Sequence, residues 1–437
     1  MNDAPATEGS PAISAKLPRL LIGLMFLTYA LSYLDRQIVN IVAEHIKRDV
    51  GLADWQVGAM SGLAFALLYT TLGIPVARLA ERSDRVTIVS AALLIWSGCT
   101  AIFGFGASFL HFFLARIGVG LGEAGATPPA MSMIAEQTPR SYQARALAFY
   151  NLGVPVGALL GMLIGGIIVD AWGWRWAFFI VGPPGLLLAL LVRLALRDPR
   201  EVESSCAERQ DVPALREVLA ALRAAPAFWW IAAGAALTTF VGYGQQAFFA
   251  SFFLRNHGAE LTALAHQIGL GGPTALLGLT LGLALGIGGA VGSLLGGQIA
   301  DRWQSPNAYI WVPVIGSLIA FPFFAIVLLL PGAGPALALL AVPVALKSLW
   351  YGPVYASVQQ MTHPRSRATV MAIFLFILNA IGLGFGPLLI GLMSDIIGKS
   401  AGPGNGLRWA LMAASSVSLL SAGCFWMARK RGDIKQV

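Results

Sequence analysis

Apolar runs of about 20 residues recur along the whole chain, and that is the length an α-helix needs to cross roughly 30 Å of hydrocarbon. They fall near residues 18–43, 55–79, 86–107, 109–135, 142–169, 174–196, 226–253, 272–300, 307–330, 334–361, 367–394 and 407–428. Lipid offers the backbone no hydrogen bonds, so isolated segments of this kind are restricted to helices. The pattern predicts an all-α membrane protein of twelve transmembrane helices. Only 11% of the 437 residues are charged, whereas a water-wetted domain keeps roughly 25%.

An even number of spans places both termini on one side. With the N-terminus inside, most of the 29 Lys and Arg residues fall in cytoplasmic segments, the bias that orients membrane proteins. The net charge of +8 is therefore read as topology, and no nucleic-acid partner is expected. Residues 1–15 are polar with no basic region before a signal-like core. The run from Leu17 is too long for a cleaved signal peptide and reads as the first span. Cys99, Cys206 and Cys424 are far apart, with no CxxC and no histidine cluster, so neither a disulfide framework nor a metal site is expected. The expected organisation is a cytoplasmic tail 1–17, a six-helix bundle 18–197, a cytoplasmic linker 198–225, a second six-helix bundle 226–428 and a cytoplasmic tail 429–437.

The halves read as copies. Ala80-Glu81-Arg82 recurs as Ala300-Asp301-Arg302; Thr138-Pro139-Arg140-Ser141 recurs within Thr362-His363-Pro364-Arg365-Ser366-Arg367; Gly166 and Asp170 match Gly391 and Asp395. All three pairs are offset by about 220–225 residues at matching topological positions, a parallel repeat with pseudo-two-fold symmetry of the kind built by two-bundle secondary transporters. No GxxxxGK[ST] loop is present, so the chain carries no ATPase of its own. Gly118-x-Gly120-x-Gly122 follows no strand and is not a dinucleotide fingerprint. No span holds a nucleophile–base or metal constellation. The chain is expected not to be an enzyme and to need no cofactor.

The repeated loops resemble those of the major facilitator superfamily. Gly73, Glu81, Arg82, Asp84 and Arg85 stand where that family has a Gly, an acidic residue and clustered basic residues between helices two and three, and Gly297, Asp301 and Arg302 form the second copy. Here Glu replaces the usual Asp, and Asp84 replaces a Gly. Arg116-x-x-x-Gly120-x-Gly122 and the ladder Gly153, Gly157, Gly161, Gly165, Gly166 are similar to further family motifs. Within the superfamily, Tyr33-Leu-Asp35-Arg36-Gln37, Gly120-Leu-Gly122-Glu123-Ala124 and Gly173-Trp174-Arg175-Trp176-Ala177-Phe178 resemble the spinster branch. That resemblance implies a multi-pass protein, expected in a bacterial inner (plasma) membrane and acting as a monomer. It further implies proton-driven movement of a small amphipathic substrate drawn from membrane lipids, of the lysophospholipid or sphingolipid type.

Leaving histidines aside, five charged residues lie more than four residues inside the apolar runs, Asp35, Arg36, Arg116, Glu123 and Lys347. Each costs about 2.5–3.5 kcal/mol at a helix centre, so they must face one another or a wet cavity. Arg116 and Glu123, seven apart, share a helix face two turns apart, whereas Asp35 and Arg36 diverge by about 100°. The reading assigns proton coupling to Asp35 and Glu123, and substrate binding to Arg36, Arg116, Tyr33, Lys347, Tyr351, Tyr243, Gln246, Phe249 and Asn379. The competing reading of the charges is a fixed ion-pair network between helices one and four. Three cations against two carboxylates favour an anionic substrate, which suits a phosphate-bearing lysolipid and equally a sugar acid; a multidrug exporter is a further alternative. Glu81, Arg82, Arg85, Arg145, Asp301, Arg302 and Arg367 read as a cytoplasmic gate.

Overall fold

A computed structural model of the chain describes residues 16–198, 215–303, 307–363 and 366–430. Most of the expected linker, 199–214, and most of both tails lie outside these residues. The described residues are helical throughout, with no strand: α1 (Lys16–Val50), α2 (54–82), α3 (Arg85–Phe103), α4 (Phe109–Glu123 and Thr127–Gln137), α5 (140–172), α6 (Trp174–Ala195), α7 (Leu215–Arg223), α8 (Pro226–Gln267), α9 (Pro273–Arg302), α10 (Ala308–Leu329), α11 (Ala333–Gln360), α12 (367–401) and α13 (Pro403–Lys430). Eight of them are long and apolar enough to cross a membrane, and a ninth is counted if α7 and α8, bent by 93° at their junction, form one span. Their outer faces carry large exposed apolar side chains such as Leu187, Leu194, Leu294 and Leu420, the surface that lipid and not water would cover.

The helices pack as two sets, 16–195 and 226–430. In the first, α1 lies along α5, and α3 lies along α6 and α4; in the second, α13 is wrapped by α8, α12 and α10. Gly157 and Gly161 of α5 face the carbonyls of Ala30 and Leu34 on α1. A Cβ there would collide with backbone, so the glycines let the two helices approach. The sets meet through α5 against α9, α2 against α12, and α1 against α8.

Proline and glycine set the breaks that apolar counting misses. Pro128 and Pro129 cannot donate backbone hydrogen bonds, and α4 opens into a turn at residues 124–126, directly after Glu123. Pro387 likewise removes a donor from α12, where residues Asn379–Phe385 widen into a π turn. That turn lies against a matching one, Ala59–Leu63, in α2: Gly58 and Gly62 sit against Pro387 and the Leu383 carbonyl, with no room for a Cβ. α1 outruns its expected end at residue 43 by two turns, stopping where Gly51 adopts φ 73°, a left-handed C-terminal cap. The extra turns carry Glu44, Lys47 and Arg48.

Those residues enter a polar network joining the two sets at one end of the molecule. Arg255 of α8 donates to both Asp54 oxygens at 2.6 and 2.8 Å and to Glu44 at 2.8 Å. Asp54 also accepts from Lys47 and, at 2.7 Å, from Ser394. Burial opposes the Asp54 charge, but Arg255, Lys47 and Ser394 outweigh it and hold the carboxyl down at about 2. Beside the network, the repeated Gly…Asp motifs do the same work twice. Asp395 of α12 accepts the backbone N–H of Asp54 at 3.0 Å and of Trp55 at 2.8 Å, capping α2. Asp170 of α5 accepts the N–H of Ala275 at 2.7 Å, capping α9. Gly391 and Gly166 lie against the backbones of Asp54 and Thr274, so each glycine admits the helix start that its aspartate, four residues on, then caps.

The opposite end holds the residues read as a gate. Arg82, Arg145, Arg302 and Arg367 are exposed there and have no ion-pair partner among the described residues. Asp301 accepts from Tyr309 of its own set at 2.8 Å, and the side chain of Glu81 lies outside the described residues. Arg85 departs from expectation. It is fully buried, donating to Asp198 at 2.6 and 2.9 Å and to Ser132 at 2.9 Å, with Glu136 at 2.6 Å. Arg85 therefore staples α3 to α4 and to the segment after α6, and is not free to reach the second set. Asp198, expected to begin the linker, is part of the first set. Asp84 caps α3 through the N–H groups of Val86 and Thr87, both at 3.0 Å, so the turn needs no glycine.

Candidate functional site

The middle of α1 brings the charged residues together. Ser32 and Arg36 are one turn apart and share a face that looks at α4. Ser32 Oγ donates to Glu123 Oε2 at 2.6 Å; Arg36 donates to the same oxygen through Nε at 2.8 Å and through a second, shorter contact. Asp35 points the other way, to α3, where Thr100 Oγ1 donates to it at 2.8 Å. The divergence expected of consecutive helical residues is thus realised as two partners on two helices. Glu123 reaches α1 because Gly120 and Gly122 bring α4 onto the backbones of Phe65 and Trp96. Asp35, Arg36, Arg116 and Glu123 are all buried.

Glu123 is unevenly satisfied. Oε2 gathers three donors, while the buried Oε1 has none among the described residues. Among the described residues Arg116 has a single long hydrogen bond, 3.3 Å to the Met60 carbonyl, and no carboxylate within ion-pair distance. What holds both guanidinium groups is aromatic. Arg36 lies 4.4 Å from the Phe65 ring, 4.8 Å from Tyr69 and 5.0 Å from Tyr33; Arg116 lies 5.0 Å from Phe65. Phe65 is shared between two cations, each contact being worth about 0.5–2 kcal/mol. Sequence reasoning missed Phe65 and Tyr69 because an aromatic pair at i and i+4 on an apolar helix is ordinary packing. Tyr29, stacked on Tyr150 at 4.6 Å, extends the aromatic wall.

From the second set, Tyr243 lies within electrostatic reach of Arg36, Tyr33, Tyr69 and Tyr351, which puts it across from the α1 cluster. Tyr351 and Tyr355 stack with Trp350 at 4.3 and 6.1 Å. Gln246 and Asn379 are half-buried. Phe249 is not brought to this site: it is 2% exposed and stacked on Phe324 within the apolar core. Six residues of helix turn it about 120° from Tyr243. The neighbouring Gln245 also turns inward, donating to Ser415 at 2.8 Å. No group of three or more His, Cys, Asp or Glu side chains arranged to hold a metal occurs among the described residues.

The site is an ion pair inside an aromatic box, between two helical sets sealed at one end. Its setting matches known proteins. The model of the Major Facilitator Superfamily matches residues 25–387. An MFS-type efflux pump of Mycolicibacterium smegmatis is 30% identical, over 94% of this chain and 93% of its own. Protein spinster homolog 3 of Danio rerio is 28% identical, over 90% of this chain and 80% of its own. The crystal structure of a bacterial homolog to the human lysosomal transporter Spinster, inward-facing and unoccupied, superposes with a TM-score of 0.84 at 29% identity, covering 96% of this chain and 98% of that one. The chain belongs to the Major Facilitator Superfamily, where it is spinster-like: a multi-pass integral membrane transporter, not an enzyme.

Proposed function

We propose that the protein moves an anionic or zwitterionic lipid-like amphiphile, of the lysophospholipid or sphingolipid type, by proton-coupled alternating access. Twelve helices would cross the membrane as two six-helix bundles, 18–197 and 226–428, with the gate end and both termini cytoplasmic. The observation that carries the reading is the Arg36–Glu123 pair with its orphan Oε1. A proton arriving at Oε1 would neutralise the carboxylate, weaken its hold on Arg36 and free the guanidinium for an anionic headgroup. Asp35, held through Thr100, would serve as the second proton site. The aromatic wall of Tyr29, Tyr33, Tyr69, Tyr243 and Tyr351 suits the apolar part of an amphiphile.

In this reading the sealed end faces outward, and the exposed arginines Arg82, Arg145, Arg302 and Arg367 close the cytoplasmic mouth in the alternate state. The cationic surplus supports a second reading, a proton-coupled symporter of small organic anions such as sugar acids. The test is transport by purified protein in liposomes, with labelled lysophospholipid or sphingoid phosphate, with and without an imposed pH gradient. Gradient-driven lipid movement that disappears in Glu123→Gln is expected. Movement unchanged in Glu123→Gln would remove Glu123 from coupling. Folded protein that moves no lipid but takes up a sugar acid would favour the second reading.

A further inference from the structure

Lys347 is the cation that the Arg36–Glu123 exchange leaves unused. It lies near the middle of α11, about 20 Å of helix from either end at 1.5 Å per residue. That is too far for its side chain to reach a membrane–water boundary. The side chain is half-buried, and its Nζ lies against Gly242 of α8, where any Cβ would meet the ammonium at 2.7 Å. Gly242 thus makes room for the ammonium beside Tyr243, which lies within electrostatic reach of Arg36 and Tyr351. One turn beyond Lys347 stands the stacked group Trp350, Tyr351 and Tyr355. Among the described residues Lys347 has neither a hydrogen-bond acceptor nor a carboxylate within ion-pair distance.

The other two cations of the site differ in this respect. Arg36 is held by Glu123 and Arg116 by the Met60 carbonyl, and both lie against Phe65. An ammonium at membrane depth with three unused donors is costly to keep, and an anion arriving beside it would be met by charge-assisted hydrogen bonds. We infer that Lys347 is the group that recognises the substrate's anionic moiety, phosphate or carboxylate, with the exposed Tyr351, backed by the buried Trp350, receiving the carbon skeleton attached to it. The inference rests on the transport reading above and adds to it the residue of the second set that selects for charge. The anion can then bridge the two sets, Lys347 on one side and a released Arg36 on the other.

The test is equilibrium binding to the full-length protein in lipid nanodiscs, followed by intrinsic tryptophan fluorescence. The probes are lysophosphatidate, galactonate and an uncharged monoacylglycerol, applied to wild type, Lys347→Met and Lys347→Arg. Lys347→Met should weaken binding of the anion by at least tenfold, and Lys347→Arg should restore it to within about threefold. Monoacylglycerol affinity should be unchanged in both variants. Without ligand, Lys347→Met should melt no lower than wild type, because an uncompensated charge has been removed. Lysophosphatidate or galactonate alone binding tightly tells phosphate from carboxylate. Anion affinity undiminished in Lys347→Met would overturn the Lys347 assignment and leave the transport reading standing. Equal losses for charged and uncharged probes, with a lowered melting temperature, would make the lysine structural and also overturn the assignment. Wild-type protein that binds neither anion would overturn the Lys347 assignment and, with it, the anionic form of the transport reading.

Discussion

Phe65 touches both buried guanidinium groups, and no feature of its neighbourhood in the sequence marks it out. Phe65→Leu keeps the apolar volume but loses the negative ring face, so it should weaken the hold on Arg36 and Arg116 by about 1–4 kcal/mol in total. With Arg36 less tightly placed over Glu123, gradient-driven transport in the liposome assay should fall several-fold. A rate equal to that of wild type would mean that the ring only fills space. The charged members of the site were legible because charge inside an apolar run is expensive and therefore conspicuous; Asp35, Arg36, Arg116, Glu123 and Lys347 stand out for that reason. Their partners were not. Nothing local says that Ser32 and Thr100, two hydroxyls among many in apolar helices, receive the two carboxylates, nor that Phe249 turns into the core while Gln246 stays half-buried. Such assignments depend on helix rotation, which is set by packing.

At the level of helices, the apolar runs located the elements well and their ends poorly. Charged residues continue a helix beyond the lipid as readily as they stop it, so α1 runs to Val50 and delivers Glu44 and Lys47 to the far network. The Gly…Asp repeat was visible as a pattern, but its purpose depends on a helix start from the other set lying against it. Removing one cap costs about 1 kcal/mol, so Asp170→Ala or Asp395→Ala alone should move the balance toward the state open at this end roughly fivefold. The double variant should shift it by the product, as distant sites do. Distances between spin labels across the far end would measure this, and a silent double variant would show that the caps are not part of the seal. Arg255→Met should act more strongly, because it strands Glu44 and Asp54 together without their shared cation. The buried Arg85 shows the converse lesson, that a basic residue in a gate motif can be consumed by its own half.

For the whole molecule, pH separates the seal from the proposed coupling site. The Asp54 carboxyl, held at about 2, is depressed relative to an unpaired aspartate near 3.9. Its contribution to the sealed state is therefore complete above pH about 4 and lost only as pH falls through about 2. Between pH 5 and 8 the far-end distance distribution in Glu123→Gln should stay constant; a change in that window would locate a proton switch in the seal. The two-set architecture was legible from the span pattern, the lone charged segment near its centre and the three repeated loops. The direction in which the sets lean was not, because it depends on which of two competing sets of contacts is formed. The reciprocal caps bear on how that choice is made. Each set lends a carboxylate to a helix of the other, so a rigid swing of one against the other lengthens both contacts at once, and neither can be given up while the other is kept. The seal should accordingly behave as a two-bolt latch: single molecules labelled across it would dwell in a shut or an open level and spend no measurable time ajar.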